Sequence, residues 1–157
     1  MNKHEYPNLG ETLYEEVLPN GLSVLVAVKP GFRKNAAFFA TRYGGADRRF
    51  KVNGEWIDTP AGVAHFLEHK MFDMPDGRNV LSDFAALGAS PNAFTGTGHT
   101  AYYFTGSENF MENLRLLLTY VSTPYYTEES VAKEQGIIGQ ETVSYTHLRA
   151  HETLSDL

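Results

Sequence analysis

Residues 61–77 read AGVAHFLEHKMFDMPDG, and they place two histidines four residues apart, with a glutamate between them, inside an otherwise apolar run. The run is long enough for a helix over Ala61–Asp73, stopped by Pro75 and Gly77. At about 100° per residue, His65, Glu68 and His69 fall within an arc of about 100°, while Ala64, Leu67 and Met71 form a packing face. The imidazoles therefore stack one turn apart with the carboxylate beside them. Two neutral imidazoles so spaced can converge on one Zn²⁺ at about 2.0–2.1 Å each. The adjacent carboxylate can then take a proton from a water that the metal activates. The bland alternative is an exposed helix that happens to carry two histidines and a glutamate. A chance His-x-x-Glu-His is expected at roughly 0.02 in a chain of this composition. Ala64, Phe66, Leu67 and Met71 also make the helix apolar nearly all round, so its ionisable groups need a partner, and a metal supplies one.

Zinc takes a third protein ligand and keeps an open position for water. The chain has no cysteine, which excludes disulfides and thiolate metal sites, so any metal must use His, Asp or Glu, and a carboxylate on a neighbouring helix is the candidate third ligand. The stretch SVAKEQGIIGQE, residues 130–141, offers Glu134 and Glu141 two turns apart on one helical face, and spacing alone leaves both open. Gly136 and Gly139 interrupt that helix at about 1 kcal/mol each relative to alanine. A close backbone approach to the metal helix would account for them.

The rest of the chain supplies the frame. Leu13–Val28 reads as a hairpin about Asn20-Gly21, a pair that tolerates positive φ in a tight turn. Asn35–Tyr43 reads as a third strand closed by Gly44-Gly45, and Ala46–Pro60 as a loop containing an Asn53-Gly54 turn. A short helix is expected over Asn79–Leu87 and two strands over Ser90–Gly106. Ser107 is placed to cap a helix whose apolar residues are Phe110, Met111, Leu114, Leu117, Leu118 and Val121, and Thr127 to cap the last helix. The order β-β-β-α-α-β-β-α-α implies an α+β domain, an antiparallel or mixed sheet with helices packed on it. With 157 residues, 42% apolar and 20% charged, the chain can bury one core. A formal charge of −6 argues against nucleic-acid binding, which needs a basic surface. The polar start shows no secretory signal, and no apolar run approaches a bilayer span, so no membrane association is expected and the cytoplasm is the default location.

His65-Phe66-Leu67-Glu68-His69 resembles the inverted zinc motif of the insulinase/pitrilysin metallopeptidases. LPNGLSVLV, GVAHFLEHKMF, GASPNAFTGTGHTAYYF and VAKEQGIIGQE resemble further landmarks of that family, in its order, from about Leu13 to Glu141. The likeness is greatest to the bacterial branch associated with modification of elongation factor P. The resemblance implies an α+β fold like that of pitrilysin and the mitochondrial processing peptidases. It implies a zinc endopeptidase in which His65, His69 and Glu141 hold Zn²⁺, Glu68 is the general base and Glu134 orients the ligands. Asn92, Ala93, Phe94 and Thr95 would lie on an edge strand that pairs with an extended peptide, Asn92 also reaching the substrate near the scissile bond. The alternative the family offers is a peptide-binding or scaffold subunit, without hydrolysis, in a protein-modification complex.

Family members are longer, with two homologous halves closing around the peptide. The expected partners are therefore a peptide or small-protein substrate and either the C-terminal half of the same chain or a homologous subunit. Residues 1–141 read as a partial N-terminal zinc-binding domain. VSYTHLRAHET, Val143–Thr153, reads instead as a translated sequencing adapter, so residues 142–157 are expected to be a non-native tail. On that reading His147 and His151 are not ligands, and the 157-residue chain by itself is inactive or poorly folded.

Overall fold

In a computed structural model of the chain, residues 1–138 are described. Glu141 and the expected tail, 142–157, lie outside them. Two compact units divide the chain at Lys34 and Asn35.

The first unit is a three-stranded antiparallel sheet: β1 (Asn2–Tyr6), β2 (Glu11–Val17) and β3 (Ser23–Val28), in that spatial order. The β2–β3 hairpin turns where the sequence places it. Gly21 takes φ 84°, and the Asn20 side chain accepts from the Leu22 amide at 3.1 Å. Strand β1 has no apolar alternation to announce it. Backbone pairing with β2 holds it, helped by His4 against Glu15 at 3.2 Å. That contact is exposed, so the ladder contributes more than the pair.

In the second unit, β4 (Asn35–Thr41), β7 (Ala89–Thr95) and β8 (Thr100–Gly106) form an antiparallel sheet in the order β4-β8-β7. Between them lie the hairpin β5 (Arg49–Val52) and β6 (Glu55–Asp58), then α1 (Val63–Lys70) and α2 (Val80–Ala86). Helix α3 (Phe110–Val121) follows β8, and α4 covers 128–138. The loop expected over Ala46–Pro60 is thus a hairpin around its Asn53-Gly54 turn, where φ is 51° and 89°. Its charged flanks hide the strand pattern: Arg49 and Lys51 lie over the exposed Trp56 ring at 5.0 and 4.9 Å.

One face of the β4-β8-β7 sheet makes the core. Tyr102 and Phe104 of β8 and Ala89 of β7 pack against Val80 and Phe84 of α2 and Leu117 and Tyr120 of α3. Phe84, Phe104, Leu117 and Tyr120 are essentially fully buried, each stabilising the fold by about 1.5–3 kcal/mol through apolar burial. Helix α3 does not begin on Ser107. Its N-cap is Asn109, at φ 51° with no side-chain cap bond, and Asn109 Nδ2 donates instead to the Leu87 carbonyl at 3.2 Å. Phe110, Leu114, Leu117 and Val121 pack on the core as expected. Met111 and Leu118 are exposed, and Asn113 is buried, donating to the Leu87, Glu108 and Asn109 carbonyls. Thr127 does cap α4: its Oγ1 accepts from the Ser130 amide and its amide donates back to Ser130 Oγ, both at 3.1 Å.

Candidate metal centre

Helix α1 carries the chemistry, and its start needs a glycine. Gly62 is the N-cap at φ 89°, a conformation that costs an L side chain energy. The helix runs for eight residues, shorter than its sequence pattern, because the chain turns after Met71. Lys70, fully buried near its end, is satisfied by Asp73 Oδ2 at 2.6 Å.

His65 and His69 lie one turn apart with ring centroids 4.6 Å apart and planes nearly perpendicular. Their Nε2 atoms face each other at 3.1 Å. Behind His69, Glu134 of α4 meets Nδ1 at 2.8 Å. A carboxylate can only accept there, so Nδ1 carries the proton and the Nε2 lone pair of His69 points toward His65. That is the tautomer a metal requires, fixed from behind by a carboxylate as is usual for ligand histidines. Two nitrogens bound to one tetrahedral zinc stand about 3.3–3.4 Å apart, given Zn–N distances of 2.0–2.1 Å. The observed separation is within a few tenths of an ångström, so the pair fits a zinc ion in donor type and spacing, and His69 also in tautomer. Among the described residues no group of three or more metal-binding side chains converges. The expected third ligand, Glu141, lies outside them.

Glu68 is bound to the sheet. It is 8% exposed, and Thr95 Oγ1 of β7 donates to its Oε2 at 2.5 Å. Thr95 and Thr100 are register partners, with their hydroxyl oxygens 3.4 Å apart, and Thr100 Oγ1 donates to the Tyr43 carbonyl at 2.9 Å. Tyr102 is held well above the ordinary tyrosine range, first by burial, then by the Glu68 carboxylate and by Tyr126. Tyr102, Tyr126, Leu67 and Met71 help line an apolar cavity of about 270 Å³ on the packing side of α1.

The four residues expected on a substrate strand do lie on β7, which is an edge of the sheet among the described residues. They divide by face. Ala93 and Thr95 turn inward, while Asn92 and Phe94 are exposed on the opposite face. The Asn92 side chain accepts from the Ala93 amide at 2.9 Å. His65, His69 and Glu134 are therefore brought together, Glu68 of the same helix is brought to Thr95, and Asn92 and Phe94 lie on the opposite face. Sequence reasoning assigned Thr95 a main-chain role and missed its hydroxyl, although the two-residue strand period was available to show which side it faces. At Gly136 of α4 a Cβ would meet nothing within 4 Å among the described residues, so no close approach to α1 accounts for that glycine there.

The strand end at this site is fixed by a close approach. A Cβ on Gly44 would collide with the His99 amide nitrogen and lie 2.5 Å from the Gly96 carbonyl oxygen and 2.8 Å from the Gly98 amide nitrogen. Gly45 and Ala46 donate to the Gly96 and Thr97 carbonyls at 2.9 and 2.8 Å.

Comparison with known proteins gives one consistent family. Residues 54–155 match the model of the insulinase family, peptidase family M16. The chain is 50% identical over 143 residues to an uncharacterized zinc protease, YmfH, of Bacillus subtilis (strain 168), covering 90% of this chain and 33% of that protein. A crystal structure of a putative M16-like peptidase from Alicyclobacillus acidocaldarius is similar at TM-score 0.81 and 43% identity, over 88% of this chain and 32% of that one. Pitrilysin, at TM-score 0.67 and 20% identity over 86% of this chain and 14% of its own, shares the fold. The chain spans about a third of the length of these first two relatives. Among the described residues no helix is long and apolar enough to cross a membrane.

Proposed function

The chain belongs to the insulinase family of peptidases, M16, and on that footing we propose that it is the zinc-binding part of a metalloendopeptidase that hydrolyses internal peptide bonds. The observation that carries this reading is the pair of Nε2 atoms 3.1 Å apart, with Glu134 setting the His69 tautomer. His65 and His69 would hold the ion, with Glu141 as third ligand. When bound, zinc supplies Lewis-acid polarisation of the scissile carbonyl and makes water nucleophilic near neutral pH.

The chain's own residues do the rest. Glu68 Oε2 is held by Thr95, which leaves Oε1 to take the proton of the attacking water and pass it to the leaving amine. The edge of β7 offers main-chain donors and acceptors to an extended peptide, which binds segments with little regard to their side chains. Burial of Glu68 keeps bulk water from competing for the proton.

The test uses the full-length, zinc-loaded protein and quenched fluorescent peptides. Glu68→Gln is expected to lower kcat by at least about 100-fold, the ordinary contribution of a general base, while zinc stays bound. Turnover that survives Glu68→Gln would remove the assigned mechanism. Stoichiometric zinc and peptide binding without wild-type turnover would point to the peptide-binding alternative. The 157-residue chain alone, a third of the length of its relatives, is expected to turn over no peptide.

A further inference from the structure

We propose that Thr95 is the positioning residue for Glu68: its hydroxyl clamps one carboxylate oxygen and so aims the other at the reacting water. The assignment rests on the peptidase reading above, but the geometry behind it does not. A carboxylate as buried as Glu68 must be met by a donor, and an unmet one is costly. The donor is Thr95 Oγ1, at a distance typical of a hydroxyl bonded to a charged oxygen.

The hydroxyl protons can be counted. Each threonine has one. Thr100 gives its proton to the Tyr43 carbonyl, so the 3.4 Å contact between the two threonines is packing, and the Thr95 proton is left for Glu68. Thr100 thereby pins Thr95 from the neighbouring strand, and a β-branched side chain has few rotamers to escape into. The strand end is pinned in turn by Gly44, whose contact with the turn after Thr95 admits no Cβ. A glutamate alone on a helix can swing through several rotamers. This one is tied to the sheet through Thr95, so its carboxylate keeps one place on the helix that carries both histidines. Displacing a catalytic group by about 1 Å costs about 100-fold in rate.

The test compares Thr95→Val, an isostere without the hydroxyl, with Thr95→Ser, a smaller residue that keeps it, in full-length zinc-loaded protein. Thr95→Val is expected to lower kcat by about 10- to 100-fold, with KM within about twofold and zinc stoichiometry unchanged. Thr95→Ser should recover kcat to within about threefold. A purely packing role gives the opposite order, because valine fills the threonine volume and serine does not. A crystal structure of the zinc-loaded Thr95→Val protein supplies a readout independent of turnover, in which Glu68 should leave its place against β7. The proposal is overturned if Thr95→Val keeps wild-type kcat, or if Glu68 stays in place in that variant. Should wild type show no peptidase activity, the functional reading fails, and the position of Glu68 in the variant still decides the clamp.

Discussion

Removing the carboxylate behind His69 should weaken zinc binding by an amount the geometry allows one to work out. Glu134 accepts from His69 Nδ1 at 2.8 Å, and the two side chains are only 13% and 25% exposed. A hydrogen bond to a charged group contributes about 1.5–3 kcal/mol, and about 1.4 kcal/mol is a factor of ten in an equilibrium constant. Glu134→Ala removes the whole bond and frees the imidazole to rotate and to exchange tautomers. Zinc affinity should then fall by about 10- to 100-fold, the range seen when such orienting carboxylates are lost. Glu134→Gln keeps a neutral acceptor at the same place, and charge-assisted bonds are roughly twice as strong as neutral ones. Its loss should therefore be about tenfold or less. Competition against a chromophoric chelator, in full-length protein, measures both variants on one scale. Equal affinity in wild type and Glu134→Ala would refute the view that Glu134 prepares His69 for the metal. So would a larger loss for Gln than for Ala.

Gly44→Ala should destabilise the fold by about 1–3 kcal/mol or more, because the atoms its Cβ meets are all backbone and cannot turn aside. Urea unfolding checks this, and a midpoint equal to wild type contradicts it. Tyr102 and Tyr120 are both raised above the ordinary value of about 10, chiefly by burial. A raised acid stays neutral in the folded state, so its contribution is complete below pH of about 10 and is lost as pH climbs toward the folded value. Stability should therefore fall above pH of about 10, with their tyrosinate absorbance appearing together with unfolding. Ionisation of both while the far-ultraviolet dichroism stays native would contradict that. Finally, if residues 143–153 are translated adapter, the genomic reading frame should part from this sequence after the Glu141 codon, and a matching frame would end that reading.

Local chemistry was the legible part of this chain. The Asn20-Gly21 turn, the strands at 35–41 and 100–106 and the histidine-bearing helix follow from turn residues and apolar period, and the structure has them. Three strands, β1, β5 and β6, escaped because their sequences carry charge where strands usually carry apolar residues. Strand β1 reads NKHEY, and the β5–β6 hairpin sets Arg49 and Lys51 against Trp56. In α3 the apolar stripe was legible at Phe110, Leu114, Leu117 and Val121, whereas Met111 and Leu118 stay exposed and Asn113 is buried, where three carbonyls satisfy it. At the site, spacing within one helix announced His65, Glu68 and His69. The bond from Thr95 to Glu68 joins residues 27 apart, and that from His69 to Glu134 residues 65 apart. Pairs so distant are set by how helices and sheet come together, which no local pattern encodes. The resemblance to a family supplied a role for Glu134 and none for the Thr95 hydroxyl.

If α1 grips one divalent ion, metal analysis of the purified full-length protein will find it. Wild type should carry one zinc per chain, and His65→Ala and His69→Ala should each carry essentially none while remaining folded by circular dichroism. Wild-type protein without stoichiometric zinc after zinc-replete expression, or either histidine variant retaining it, would contradict the account.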